Sequence, residues 1–191
     1  MNNQEFTATN SKKPKKDRLW ELFTNVEMLA VAAAAILLFF SFIARITVVD
    51  GGSMNDTLHH GDKLIVSDLF YTPKRGDVVI VQSPDVLDGK VIVKRVIAVA
   101  GDKVEIVKDK GVYVNGKLET ENGLGYSVID YNYSNEKDQV KLELYEGEVF
   151  VMGDNRPYSY DSRDFGKVDE RAVIGKVLFR FAPFSAIGFV N

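Results

Sequence analysis

The 191-residue chain contains no cysteine. A disulfide framework and thiolate chemistry are therefore excluded, and a structural zinc site of the usual thiolate kind has nothing to build on. Histidine is almost missing too: the only two, His59 and His60, are adjacent. A Ser-His-Asp arrangement would have to use one of them, yet Gly61-Asp62 follows at once and predicts a solvated surface turn. Charge of one sign is also lacking. With a formal net charge of -3, no global basic field points to nucleic acid, and no nucleic-acid partner is expected. No metal or other cofactor is expected either, because the histidine pair has no further His or Cys to complete a ligand set.

What is present divides sharply along the chain. Residues 1–27 are polar, with a basic cluster at Lys12, Lys13, Lys15, Lys16 and Arg18. Met28 to Ala44 (MLAVAAAAILLFFSFIA) then carries no charge. As a helix it spans ~26 Å, just short of a ~30 Å hydrocarbon core. Arg45 can snorkel, and Ile46, Val48 and Val49 continue the apolar character. The run lacks the polar face of a globular core helix and is longer than the apolar part of a cleaved signal peptide, so an uncleaved anchor in a phospholipid membrane is expected over 28–44. Basic residues crowd the side before it, which predicts a cytoplasmic N-terminus and residues 45–191 outside.

From Ile46 onward, short β-branched runs alternate with turn signals. Val48-Val49, Leu64 to Val66, Val78 to Val81, Val91 to Val99, Val104 to Val107, Val149 to Met152 and Val173 to Phe181 are the clearest. Gly-Asp pairs recur at 61–62, 76–77, 101–102 and 153–154, each at the edge of such a run. The pattern predicts a mostly β fold: one N-terminal membrane helix followed by an all-β domain. Residues 104–147 turn polar and read as an inserted smaller β subdomain. Within it, Asn115-Gly116 between Val112 and Leu118 suits a type I′ hairpin turn.

One run holds an anomaly. In VIVKRVIAV (91–99), period-2 alternation puts Ile92, Lys94, Val96 and Ala98 on one face. Lys94 is thus a lysine within an apolar row. An edge strand with a snorkelling ammonium is the ordinary explanation. The alternative is a desolvated lysine, whose neutral amine could act as a base. At the ordinary pKa only about one lysine in a few thousand is neutral at pH 7, and lowering it by about three pH units takes ~4 kcal/mol, within what burial supplies.

Two further stretches carry candidate chemistry. Ser53 follows Gly51 and Gly52, whose backbone freedom allows close approach by another chain and whose amides, with that of Ser53, could form part of an oxyanion hole. It lies within about 30 Å of chain from Arg45, and so near the bilayer surface. The second stretch, Gly153 to Arg163 (GDNRPYSYDSR), is dense in polar groups directly after an apolar run. There Ser159 could hold a lysine amine, and Asp161 with Arg163 could form a positioning ion pair.

Together these segments resemble type I signal peptidases, the membrane-bound serine proteases that release exported proteins from their signal peptides. Gly51-Gly52-Ser53-Met54 with Thr57-Leu58 is similar to the nucleophile box, Lys94-Arg95-Val96-Ile97 with Gly101-Asp102 to the general-base box, and Gly153-Asp154-Asn155-Arg156 with Ser159, Asp161, Ser162 and Arg163 to the last box. Gly76-Asp77-Val78-Val79 matches a structural strand between them, and the single anchor resembles the Gram-positive bacterial members. The resemblance implies Ser53 as nucleophile, Lys94 as general base, Ser159 orienting the amine, and Asp161 and Arg163 bracing the site. It puts Gly51 where relatives have a serine or glycine that helps the oxyanion hole, and Val49, Met54, Leu58 and Val93 where relatives line small substrate pockets. Its substrates would be exported preproteins cut after Ala-X-Ala-like sequences. The chain departs from the pattern at Asp56, where the family usually has proline, and at Ala98-Val99-Ala100, where Gly and Pro usually precede Gly-Asp. A self-cleaving Ser-Lys protease of the SOS-repressor type is disfavoured by the anchor and the lack of a DNA-binding domain. An anchored β-rich binding protein is disfavoured by the joint presence of Ser53 and Lys94.

Overall fold

The computed structural model describes residues 18–84, 86–107, 110–119 and 139–190. The basic cluster at Lys12 to Lys16 and the middle of the 104–147 segment lie outside them.

The chain divides into two units, residues 1–40 and 41–191. The first holds most of a helix, α1 (Arg18–Ile43). It begins well before Met28, where the expected apolar span starts. Leu19, Trp20, Leu22, Phe23 and Val26 interleave with the polar residues there and leave no turn or breaker to stop it. Among the described residues, the stretch long and apolar enough to cross a membrane is Arg18–Leu38. Every side chain along it is exposed, so packing among the described residues does not account for its apolar character.

The second unit is built of antiparallel strands: β1 (Arg45–Val48), β2 (Lys63–Ser67), β3 (Val78–Ser83), β4 (Val86–Ala98), β5 (Lys103–Val107), β6 (Gly111–Val114), β7 (Lys117–Leu118), β8 (Gln139–Glu143), β9 (Glu148–Met152), β10 (Val168–Asp169), β11 (Val173–Ala182) and β12 (Gly188–Phe189). A four-residue helix, α2 (Ser162–Phe165), separates β9 from β10. Mostly β with one N-terminal helix is thus the architecture. The larger sheet runs β1-β2-β11-β3-β4-β9-β10, with β12 on β11. The smaller runs β7-β6-β5-β8. Its hairpin turns at Asn115 and Gly116, both in the left-handed region with φ of 52° and 76°, as a type I′ turn requires.

β3 explains why its sequence is a continuous apolar run. All of Val78 to Val81 are buried, with Val78 and Ile80 in a cluster on one face and Val79 and Val81 in a cluster on the other. β4 lies between β3 and β9, so it is a central strand and not an edge. Its alternation follows expectation up to Val96. A register shift between Val96 and Ala98 then removes Ala98 from the Lys94 row and packs it beside Ile97.

Candidate functional site

Lys94 sits opposite Val79 across the β3–β4 ladder, with Ile92 and Val96 before and after it in its row. Val79 and Val96 are fully buried in one cluster, and Ile92 packs against it. Lys94 itself is only 2% exposed. The snorkelling explanation is therefore wrong for this residue: its stem and its nitrogen are both withdrawn from water. Burial pushes the ammonium down from its ordinary 10.5 to about 8. The Asp161, Asp154 and Asp164 carboxylates oppose that drop, while the Arg163 guanidinium adds to it. At a pKa of about 8, roughly a tenth of the amine is neutral at pH 7.

Among the described residues the amine has one side-chain hydrogen-bond partner, donating to Ser159 Oγ at 3.1 Å. The Ser159 hydroxyl in turn bonds Asp161. Asp161 is fully buried and serves as N-cap of α2, in a capping box completed by Asp164. It accepts from Arg163 Nε at 2.7 Å and Nη2 at 2.9 Å, and from the Gly153 amide at 3.0 Å. Arg163 also reaches the Arg156 carbonyl at 2.7 Å, which ties the 156–163 loop to itself. Burial pushes the Asp161 carboxyl up to about 6, against these donated hydrogen bonds, so it is ionised at neutral pH and above. A charged, bonded carboxylate thus stands behind the Ser159 hydroxyl and orients its lone pairs toward Lys94.

Ser53 lies in the connection between β1 and β2. That connection is closed at its base by the Val49 amide on the Asp62 carbonyl and the Gly61 amide on the Val49 carbonyl, both 2.9 Å. Its apolar feet are Val49, Met54 and Leu58, which are 3%, 1% and 0% exposed and share one cluster with Val93. All four candidate pocket residues are therefore neighbours in a single apolar patch. Gly51 has φ of 97°, a conformation that residues with a side chain rarely adopt, and its amide donates to His60 Nδ1 at 3.3 Å. That amide is taken; the Ser53 amide has no acceptor among the described residues. Asp56 has φ of 82°, which a proline ring cannot adopt, so the Asp in place of the usual proline marks a different local backbone.

The Ser53 loop and the 153–163 loop meet at Gly153. Extending the β4–β9 register by one residue sets Gly153 beside Lys94. A Cβ on Gly153 would fall within 3.0 Å of both the Ser159 hydroxyl and the Ser53 carbonyl oxygen, so these groups are neighbours across it. Ser53, Lys94, Ser159, Asp161 and Arg163 are thereby brought into one region. No hydrogen bond joins the Ser53 hydroxyl to Lys94 among the described residues.

Sequence reasoning gave no individual role to four members of this region. Gly153 is the close-packing point just described. Asp154 pairs with Arg95 at 2.8 and 2.7 Å, both nearly fully buried, and accepts from Thr57 Oγ1 at 2.6 Å. Asn155 clasps the Ser53 loop through its amide and side chain. Arg180, on β11, donates to the Thr57 carbonyl at 3.0 Å and to Asp62 at 2.9 Å. Only the Gly-Asp-Asn-Arg run hinted at the first three, and nothing hinted at Arg180.

Residues 22–182 match the family model for signal peptidase, peptidase S26. Signal peptidase IB of Staphylococcus aureus is 37% identical over 177 residues, covering 83% of this chain and 89% of that protein. A probable signal peptidase I-1 of Synechocystis is 35% identical over 176 residues, covering 86% and 84%. The crystal structure of a signal peptidase I from Enterococcus faecalis is 33% identical, covers 56% of this chain and 97% of its own, and gives a TM-score of 0.43.

Proposed function

Because the chain belongs to the signal peptidase family, peptidase S26, it is a peptidase of signal-peptide removal, and we propose that it works through a Ser53–Lys94 dyad at a membrane surface. The observation that carries this reading is the dry lysine: a central-strand amine with its pKa lowered to about 8, held on Ser159 beside the Ser53 loop.

The chemistry follows from those atoms. When the substrate is seated, the Ser53 side chain rotates so that its hydroxyl faces the neutral Lys94 amine. The amine takes the hydroxyl proton as Oγ attacks the scissile carbonyl. The C–N bond then breaks, the Lys94 ammonium gives its proton to the departing amine, and an ester on Ser53 remains. A water, deprotonated by the same amine, resolves the ester. Ser159 holds the amine in position throughout, and Asp161 with Arg163 holds Ser159.

Specificity rests on the patch of Val49, Met54, Leu58 and Val93. Val49, Met54 and Leu58 are buried and Val93 is half-buried, so the patch offers a shallow apolar surface, which suits alanine at the first and third positions before the cut. The rest of the peptide would lie as an added extended strand. Helix α1, at ~1.5 Å per residue, is ~39 Å long and suffices to cross a bilayer with tilt. The lysines before it set the N-terminus in the cytoplasm and the β unit outside.

The test is to incubate the purified full chain with an exported precursor and sequence the new N-terminus. Cutting after an Ala-X-Ala-like motif is expected, abolished in Ser53→Ala and Lys94→Ala. Undiminished processing by Lys94→Ala refutes the dyad. A C-terminal tag reached by protease only from the cytoplasm refutes the orientation.

A further inference from the structure

Asn155 touches the backbone on both sides of the Ser53 nitrogen. Its side-chain Nδ2 donates to the Gly52 carbonyl at 2.8 Å, and its own amide donates to the Ser53 carbonyl at 3.0 Å. The Gly52 carbonyl also accepts from the Asn55 amide at 3.1 Å, so both of its lone pairs are engaged. In a trans peptide the C=O and the following N–H are coplanar and point in opposite directions. Fixing the Gly52 carbonyl therefore fixes the Ser53 N–H, aimed away from the 153–155 loop and bonded to nothing among the described residues. Glycine on the carbonyl side makes that peptide plane soft: without an anchor, residues 51–53 could rotate at little cost.

We infer that Asn155 is a positioning residue for the oxyanion hole: it holds the Gly52–Ser53 peptide so that the Ser53 amide meets the oxygen of the tetrahedral intermediate. This rests on Ser53 being the nucleophile. Two physical effects act together. The hydrogen bonds set the direction of the N–H before substrate arrives, so no reorganisation is needed when charge develops. They also polarise the amide from its carbonyl end, which strengthens the N–H as a donor. The need for such an anchor is greater here because Gly51 offers no hydroxyl and its amide is taken by His60. Asn155 does not touch Lys94 or Ser159 by any hydrogen bond among the described residues, so its action is on the oxyanion and not on the base.

The inference is tested with Asn155→Ala and with the isosteric Asn155→Asp, whose carboxylate cannot donate to the Gly52 carbonyl and repels it. Three quantities are read on the full chain: kcat and KM on a signal-peptide substrate across pH, affinity for an Ala-X-Ala peptide aldehyde, and affinity for the matching peptide alcohol. The aldehyde adds Ser53 Oγ to its carbonyl carbon, and its former carbonyl oxygen occupies the oxyanion position. The alcohol has no such carbon. Expected are a fall in kcat of about 10- to 100-fold, an equal fall in aldehyde affinity, KM and alcohol affinity unmoved, and, in the charge-neutral Asn155→Ala, an unmoved kinetic pKa. A kcat within twofold of wild type in either variant overturns the inference. So does a loss shared equally by aldehyde and alcohol, or a kinetic pKa moved in Asn155→Ala, since each means that Asn155 acts through the general fold or through the base. Ser53→Ala is measured alongside. If it retains activity, the dyad itself falls; if it is inactive while the Asn155 variants behave as wild type, only this inference falls.

Discussion

Four Gly-Asp pairs look alike in the sequence, but three of them do one thing and the fourth does another. At 61–62, 76–77 and 101–102 the glycines have φ of 89°, 90° and 89°. In each, the aspartate accepts from the amide three residues before it: His59 to Asp62, Lys74 to Asp77, Val99 to Asp102, at 3.0, 3.1 and 3.0 Å. These are turn devices, where glycine supplies a left-handed backbone and aspartate caps the turn. Gly153 has no positive φ; it is glycine because Ser159 and the Ser53 carbonyl leave no room for a methyl. Asp154 caps no turn and instead spans β4 and the Ser53 loop through Arg95 and Thr57. The same two letters serve chain reversal in three places and assembly of the candidate site in one.

The sharpest break of that comparison is one methyl group. Gly153→Ala is expected to cost on the order of 10²-fold or more in kcat/KM, because the added methyl collides with the Ser53 carbonyl as well as the Ser159 side chain, and both groups must shift. Gly101→Ala, with open space around its Cβ, pays only backbone strain. It should cost about 1 kcal/mol of stability and leave kcat/KM within a few fold. Equal activity loss in the two variants, with both folded, would erase the distinction.

The aspartates give the next contrast. Asp154→Ala leaves Arg95 buried with, among the described residues, only the Gly76 carbonyl and is expected to destabilise the fold by about 3–5 kcal/mol. Asp102→Ala loses a turn cap, about 1 kcal/mol. Urea midpoints at constant slope measure both.

Much of the strand pattern was legible because it depends on neighbours along the chain: the Val78 to Val81 run, the Asn115-Gly116 turn, the apolar row around Lys94. Lysine within that row was the one local conflict, and it marked the site. What failed to show depends on distant segments meeting. Thr57 and Asp154 lie far apart in sequence yet bond at 2.6 Å, and Arg180 reaches the Ser53 loop from the last long strand. No spacing rule encodes such contacts. That α1 begins ahead of Met28 was not legible from the uncharged run alone, since Arg18 and Glu21 lie on a helix that Leu19 to Phe23 continue.

The smallest expected effect separates Asp154 from the turn aspartates electrostatically. Asp154 is among the carboxylates that hold the Lys94 ammonium up against burial. Removing its charge in Asp154→Asn should therefore move the acid limb of the kcat/KM–pH profile below about 8, by a fraction of a pH unit at an effective dielectric near ~20. Asp102→Asn should leave it in place. The same amine predicts the sign of a stability change. Folding lowers the Lys94 pKa from 10.5 to about 8, so between those values the unfolded chain binds more protons and stability rises with pH. Below 8 both states are protonated and the burial penalty, on the order of 3 kcal/mol, is fully present. Lys94→Met should then stabilise the protein most below pH 8, with the advantage gone above 10.5. If Lys94→Met were no more stable at pH 7 than at pH 10, the amine would not be a strained cation in the resting protein, and the acid limb would belong to another group.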